Sequence, residues 1–412
     1  MRVAVIGGGA AGQIAAIKAA ENGHAVTIFE QNEKLGKKLF ITGKGRCNVT
    51  NAADREGFFR HVVRNPRFLY SAYAHFDSAA IMALIEAAGV PLKVERGQRV
   101  FPASDHSSDI LKALERTVKS RGVEVRLNTR VSEILTNGEA VTGVRIGQTV
   151  EPFDAVILAT GGLSYPSTGS TGDGFRFARA LGHTIEPLTG SLVPLETAET
   201  WCAELSGLTL KNVTLTAFRK NGKEVYTELG EMLFTHFGVS GPLVLSASAL
   251  LAGEAEGAQL SIDLKPGLSE EQLDARLLRD LSANAKKTFG GALYGLLPQR
   301  LLGVVLGAAG IDAAAQAANC TKAQRQALVD TLKGLKLHVT GARPVAEAIV
   351  TRGGVSVKEV NPSTMESKKV RNLYFAGEML DTDAFTGGFN LQIAWSTGAL
   401  AGSSIPTEVE SV

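Results

Sequence analysis

The first thirty residues constrain this chain more than any other part of it. MRVAVIGGGAAGQIAAIKAAENGHAVTIFE reads as a buried strand, a glycine turn, a helix, a second strand and a terminal acid. The glycines fall at Gly7, Gly9 and Gly12, and the acid is Glu30. Gly7 permits the tight turn, and Gly9 leaves the backbone bare where a pyrophosphate approaches. Gly12 lets the helix sit close to the sheet. The helix amino-terminus, at Ala10 and Ala11, presents N–H groups to the phosphates. Glu30, followed by Gln31, ends the second strand where a carboxylate can accept both ribose hydroxyls and repels a 2′-phosphate. Glycine turns that merely join strand to helix share the spacing. The strand before and the acid after make this one a dinucleotide site.

A chain of 412 residues has room for two or three domains. Its formal net charge of +2 provides no overall field to steer it toward nucleic acid. Cys47, Cys202 and Cys320 lie far apart and form no CxxC. That argues against a disulfide framework and a zinc site, and it suits a reducing cytoplasm, the expected location. No H-x-x-x-H occurs, so no metal is expected. The apolar start at Val3 is the first strand and not a signal peptide. The most apolar late stretch, LYGLLPQRLLGVVLGAAG, is broken by Pro298, Gln299 and Arg300 and does not read as a membrane span.

Further along, the pattern predicts a helix over 69–88 ended by Gly89 and a second helix over 107–120. A strand and hairpin follow, turning near Asn137–Gly138, then the apolar strand of FDAVILATGG and a helix over 173–183. Near Ser191 the character changes. Short strand patterns fill 192–262, with a turn at 220–222. Residues 270–330 read as alanine-rich helices, and a strand returns at 335–341. The expected order is a cofactor domain over 1–191, an insertion over 192–344 and completion of the first domain over 345–412. Within the insertion, 192–268 and 331–344 are β-rich and 269–330 helical.

NAD and FAD proteins share the opening fingerprint. Three later features favour FAD. ILATGG ends a strand with Thr160 and Gly161 beside the cofactor. AGEMLDTDAFTGGFNLQIA places Gly377, Glu378 and Asp381 before a glycine turn, and Gly388, Phe389 and Asn390 at a helix start. The N–H groups of that helix suit the ring edge that becomes anionic on flavin reduction. FITGKGRCNVTN supplies a loop with Thr42, Gly43, Arg46, Cys47 and Asn48 for the ribityl and ring region. Lys38 and Val131 complete the candidate contacts.

These segments carry a resemblance. VIGGGAAG at 5–12, KLFITGKGRCNVTN at 38–51, YPSTGSTGDG at 165–174, MLFTHFGVSGPLVLSAS at 232–248 and NLYFAGEMLDTDAFTGGFNLQIAWSTG at 372–398 resemble the YhiN/BaiN family of FAD-binding flavoproteins. The likeness covers essentially the whole chain. It implies an α/β fold with a Rossmann-like FAD-binding domain of the glutathione-reductase type, built from both chain ends. The implied insertion is a β-barrel-like domain carrying a small helical subdomain. The resemblance also implies an FAD-dependent oxidoreductase with NAD(P)H as transient reductant. Three activities are ascribed to such proteins: reduction of conjugated double bonds in 3-oxo bile acids, dihydrouridine formation in ribosomal RNA, and oxidation of aminoacetone. The first is the leading expectation, with a small enone or steroid-like partner and no membrane. A non-catalytic flavin-holding sensor is the alternative from another class.

The candidates for chemistry are Cys47 and His236. Cys47 on the cofactor loop can donate a proton or can simply pack there. His236 precedes an expected helix start, with Ser240 as cap and Pro242 in the first turn. It can protonate a substrate carbonyl or make a structural hydrogen bond. Lys44 and Arg46 can neutralise phosphate or reduced flavin, and Asn48 and Asn51 hold the loop. Asp381, Asp383 and Glu378 are candidates for the ribityl chain. Asp105 is a weaker one, and Tyr165 with Pro166 can wall the ring. Asp173 is expected to cap a helix. From Lys34 to Arg67 nine basic residues face two acids, Asp54 and Glu56. On one surface they could meet an RNA backbone, or they could serve cofactor phosphates or simply be solvated.

Overall fold

The computed structural model describes residues 1–407. The chain forms two compact units, one of Met1–Ser191 with the chain from Val345 onward, the other of Leu192–Pro344.

The first unit is built on a five-stranded parallel sheet. Its order is Leu373–Phe375, Ala155–Leu158, Arg2–Ile6, Ala25–Phe29, Glu124–Arg126. Val3–Ile6, Val26–Phe29 and Ala155–Leu158 are buried throughout, as strands covered on both faces must be. The late strand pairs with Ala155–Leu158, so the carboxy-terminal segment completes a sheet that the amino-terminus begins.

The first helix, Ala10–Glu21, packs on the last, Phe389–Ser403. A Cβ on Gly398 would lie 2.3 Å from the Ala11 carbonyl oxygen, and one on Gly402 2.2 Å from that of Ala15. The backbones therefore meet with no side chain between them. The last helix is buried nearly all round, and Trp395 donates its indole N–H to Val49 O at 2.8 Å. The two chain ends are locked together by this contact.

The second unit is a closed six-stranded barrel. Its order is Leu195–Thr197, Gly238–Ser240, Glu224–Thr235, Thr209–Phe218, Gln259–Asp263 and Leu335–Ala342. Val213, Leu215 and Ala217 are buried on one strand at the alternation a barrel demands, and a register shift between Leu210 and Val213 keeps Leu210 buried as well. The chain leaves after Asp263, forms helices that include Glu270–Ala283 and Lys322–Lys333, and re-enters at Leu335. Capping boxes start both named helices, Ser269 with Gln272 and Thr321 with Gln324.

Several local expectations differ from the structure. The helix expected over 69–88 is two, Tyr70–His75 and Ser78–Ala87. Phe76 is not helical, and the Asp77 carboxylate caps the second helix by accepting from Ala80 N. The run Pro66–Ala87 has the length and apolarity of a membrane span. The break at Phe76 and the burial of Ala72, Tyr73, Ile81 and Ile85 make it a pair of core helices instead. The glycine-rich stretch expected as a loop includes a helix over Lys37–Gly45. Asp173 does not cap its helix. Gly172 holds that position, and Asp173 begins the helix with its carboxylate on Arg130. Ser240 ends a strand, and Gly241 precedes the helix Pro242–Leu251.

Candidate cofactor cleft

A cleft of about 210 Å³ runs through the first unit. Its walls come from both chain ends. Gly7, Gly9, Ala10 and Ala11 lie on it together with Gly377, Glu378 and Asn390. The first helix starts at Ala10 with no side-chain cap and no acid in its first turn, and the last helix starts at Phe389 in the same way. Two helices of 12 and 15 residues thus begin at one cleft with their first N–H groups uncapped. Such ends favour anions.

Three glycines divide the work. A Cβ on Gly12 would lie 1.9 Å from Gly7 O, so Gly12 serves helix-to-turn packing and does not line the cleft. Gly7 adopts φ +104°, and a Cβ there would sit 2.4 Å from Ala159 O. A Cβ on Gly9 would meet nothing within 4 Å. That bare space beside an uncapped helix is where a diphosphate fits.

Glu30 is 7% exposed and lines the cleft. Its Oε2 accepts from Gly8 N at 2.8 Å, and its Oε1 accepts from Asn32 N at 2.9 Å and Asn32 Nδ2 at 2.7 Å. A carboxylate accepts about four hydrogen bonds, so these three leave room for one hydroxyl while Asn32 stays in place. Gln31 Nε2 donates to Gly169 O and Asn32 Nδ2 to Thr168 O, tying this end to the segment after ILATGG. Val131, Thr160 and Gly161 also line the cleft. Arg130 binds Asp173 through two nitrogens at 2.8 and 2.9 Å at its edge. That ion pair holds the Asp173 carboxyl below the usual carboxylate range.

Lys38 and Glu378, both on the cleft lining, pair at 2.7 Å. Lys38 also donates to Ser164 Oγ at 2.7 Å, and Glu378 Oε1 accepts from Thr351 N at 2.9 Å. This joins the helix of 37–45 to the carboxy-terminal loop.

Thr42 also lies on the lining, and the remaining candidates lie off it. A Cβ on Gly43 would touch Asn48 N at 3.0 Å. Arg46 is committed to Glu95 and Asp105 and stacks on Phe101 with its guanidinium 4.1 Å from the ring centre. Cys47 is fully buried, and burial pushes its thiol up to about 12. Asn48 has a buried Oδ1 with no partner among the described residues, and Asn51 Nδ2 donates to Gly97 O and Gly387 O. Asp381 accepts from Arg64 and Asn65. Gly388 precedes the last helix, and Phe389 stacks on His61 at 4.2 Å. Tyr165 donates its N–H to Ala346 O. His236 belongs to the second unit, in the turn after Glu224–Thr235, with its ring edge-on to Phe237. The Lys44 side chain lies outside the described residues. In the native protein a thiol reagent at neutral pH should modify Cys320, which is partly exposed, well before Cys47. Equal rates of alkylation, read by peptide mass, would show that Cys47 is not shielded.

The motif reading passes over Asn32, Arg130, Ser170, Val350, Leu391 and Ala394, which also line the cleft. Ala394 was within reach, since helical period carries Asn390 to it. Val350 has no local signature.

The fold and cleft define a protein of the dinucleotide-binding class. The chain belongs to the HI0933-like family of FAD-binding oxidoreductases, matching the HI0933-like protein Rossmann domain over residues 1–404. It is 33% identical over 407 residues to a 3-dehydro-bile acid delta(4,6)-reductase of Clostridium scindens, covering 97% of this chain and 98% of that one. It is 32% identical to a ribosomal RNA dihydrouridine synthase of Haemophilus influenzae, covering 97% of each. The solved 3-ketosteroid-delta4-(5alpha)-dehydrogenase of Rhodococcus jostii RHA1 shares the fold, with a TM-score of 0.50 and 16% identity over 98% of this chain and 96% of that one.

Proposed function

We propose that this chain holds FAD in the cleft and uses NAD(P)H to reduce a C=C bond conjugated to a carbonyl in a small enone, of the 3-dehydro-bile acid Δ4,6-reductase type. The observation that carries the reading is the likeness to the Clostridium scindens reductase, which runs nearly end to end in both chains. The cleft supports it. Gly9 and the first helix would take the diphosphate, and Glu30 one ribose hydroxyl. Lys38, Glu378 and Asn390 would lie along the ribityl chain and ring. FAD, when bound, supplies hydride transfer, and the protein supplies position and field. The start of the last helix would stabilise negative charge at the ring edge.

Uridine in RNA offers the same chemistry, since its C5=C6 bond is conjugated to a carbonyl. The Haemophilus influenzae relative favours this second reading. The basic segment of 34–67 weighs against it as the docking face. Lys37 meets Glu33, Lys38 Glu378, Arg46 Glu95 and Asp105, and Arg64 Asp381. Four of its nine basic residues are thus paired with acids of the first unit.

The test is anaerobic. The FAD-loaded protein is reduced with NADH or NADPH and mixed with a 3-oxo-Δ4,6 steroid or with unmodified ribosomal RNA. Fast flavin reoxidation by the steroid alone is the expected result. Reoxidation by RNA alone would install the second reading, and no reduction by either nucleotide would end both.

A further inference from the structure

The carboxyl edge of the parallel sheet is bridged. Arg2–Ile6 lies between Ala25–Phe29 and Ala155–Leu158, and all three strands run the same way, so the segments that follow them leave from one edge. The middle strand runs into the glycine turn at 7–9. The segment after one neighbour begins at Glu30, the segment after the other includes 166–172, and these two meet. Gln31 Nε2 donates to Gly169 O at 2.7 Å, and Asn32 Nδ2 donates to Thr168 O at 3.0 Å. Close by, Arg130 binds Asp173 through two nitrogens at 2.8 and 2.9 Å. Every one of these six residues lines the cleft.

Each side of the bridge is anchored on its own. Asn128 N donates to Asn32 O and Thr129 N to Glu30 O, which holds Arg130 beside 30–32. On the far side, Leu163 N and Ser164 N donate to Thr351 Oγ1 at 2.7 and 3.2 Å, and Tyr165 N donates to Ala346 O. Beyond Gly172 the chain is the helix Asp173–Ala180. Between these anchors the backbone turns on itself: Thr168 N donates to Tyr165 O, and Gly169 N to Pro166 O. Left-handed residues bound the segment, Tyr165 at φ +52° and Gly172 at φ +82°. A short segment with sharp turns at both ends can swing as a unit once its cross-ties part. The ties are made by side chains. A Cβ on Gly169 would lie 2.5 Å from Asn32 Nδ2, so the two sides are in close contact there. The Arg130 side chain is 63% exposed, so water competes for that tie.

We propose that 165–172 is a strap over the nucleotide, closed by Gln31, Asn32 and the Arg130–Asp173 pair, which must open each time a dinucleotide enters or leaves the cleft. This rests on the reading that FAD occupies the cleft. A dinucleotide with its diphosphate on the glycine turn is enclosed, because the ties join the segments on both sides of that turn. Closed ties oppose entry and exit alike, since the same ones must part in either direction. They govern the rate of exchange more than the affinity. A nucleotide so enclosed is a resident group, retained from one turnover to the next.

The test follows FAD exchange and needs no substrate. Loss is read as labelled FAD leaving the loaded protein into excess unlabelled FAD. Entry is read as the change in flavin fluorescence on mixing apoprotein with FAD. In the double variant Gln31→Ala with Asp173→Asn, both rates should rise about tenfold or more, with affinity moving less than either. Should the double variant fail to fold, each single change carries the test, with both rates up about threefold or more. Faster loss with entry at the wild-type rate would make these residues plain contacts and overturn the strap. Unchanged loss and entry in the folded variants overturn it as well. A wild type that takes up no FAD takes down the cofactor reading and the strap together, whereas a wild type that holds FAD beside variants with unaltered exchange takes down the strap alone.

Discussion

Gly12→Ala should destabilise the first unit, while Gly9→Ala should leave it folded and poor in flavin. Both changes add one methyl group, three residues apart. In a helix interior, glycine to alanine ordinarily gains about 1 kcal/mol. At Gly12 the new Cβ would stand 1.9 Å from Gly7 O, a backbone atom of a tight turn that has no side chain to swing aside. Forced overpacking costs ~1–3 kcal/mol and outweighs the propensity gain. A fall of roughly 2–10 °C in thermal midpoint is expected. At Gly9 nothing lies within 4 Å, so the apoprotein should melt as wild type does. The methyl would then occupy the space meant for the diphosphate, and FAD affinity should fall by about tenfold or more, the worth of ~1.4 kcal/mol. Calorimetry of the apoprotein and flavin absorbance after gel filtration read the two effects. Wild-type FAD affinity in Gly9→Ala would mean that no phosphate approaches that turn.

The second large effect separates two glycine pairs with the same spacing. The last helix carries Gly398 and Gly402, and the helix Gln299–Ala308 carries Gly303 and Gly307. The double change Gly398→Ala with Gly402→Ala puts methyl groups 2.3 and 2.2 Å from the carbonyl oxygens of Ala11 and Ala15. The two helices must move apart, at ~1–3 kcal/mol for each site. Because the start of each helix forms cleft wall, flavin should be lost along with stability. Gly303→Ala with Gly307→Ala meets no neighbour within 4 Å. It should stabilise the second unit by up to ~1 kcal/mol per site and leave flavin alone. Equal behaviour of the two doubles would refute the close contact of the chain ends.

The two ends of the cleft were not equally legible. Gly7, Gly9, Glu30 and Asn390 were reachable from motif spacing because each answers a local demand: a turn, a bare backbone, a strand end, a helix start. Their meeting on one lining agrees with the expectation that both chain ends build a single site. The stretch around 37–45 read as a loop because it holds Gly43 and Gly45, yet its first turns are helical and carry Lys38 to Glu378. The partner is 340 residues away, and no local pattern announces it. Asp381 and Asp383 passed as acids of one loop and are both buried, and only the packed structure assigns Arg64 and Asn65 to the first and Ser191 to the second.

Short-range chemistry in the chain was enough to specify a nucleotide-binding βαβ opening, a β-rich insertion with helices, and a closing strand and helix. Backbone geometry and hydrophobic period act over a few residues and leave marks in the order of amino acids. Which glycine pair touches a neighbour, which arginine is consumed by an acid and which carboxyl is denied water depend on what folds against them from far along the chain. Desolvation and steric exclusion are properties of the packed interior, and they became visible once the sheet and its helices were assembled.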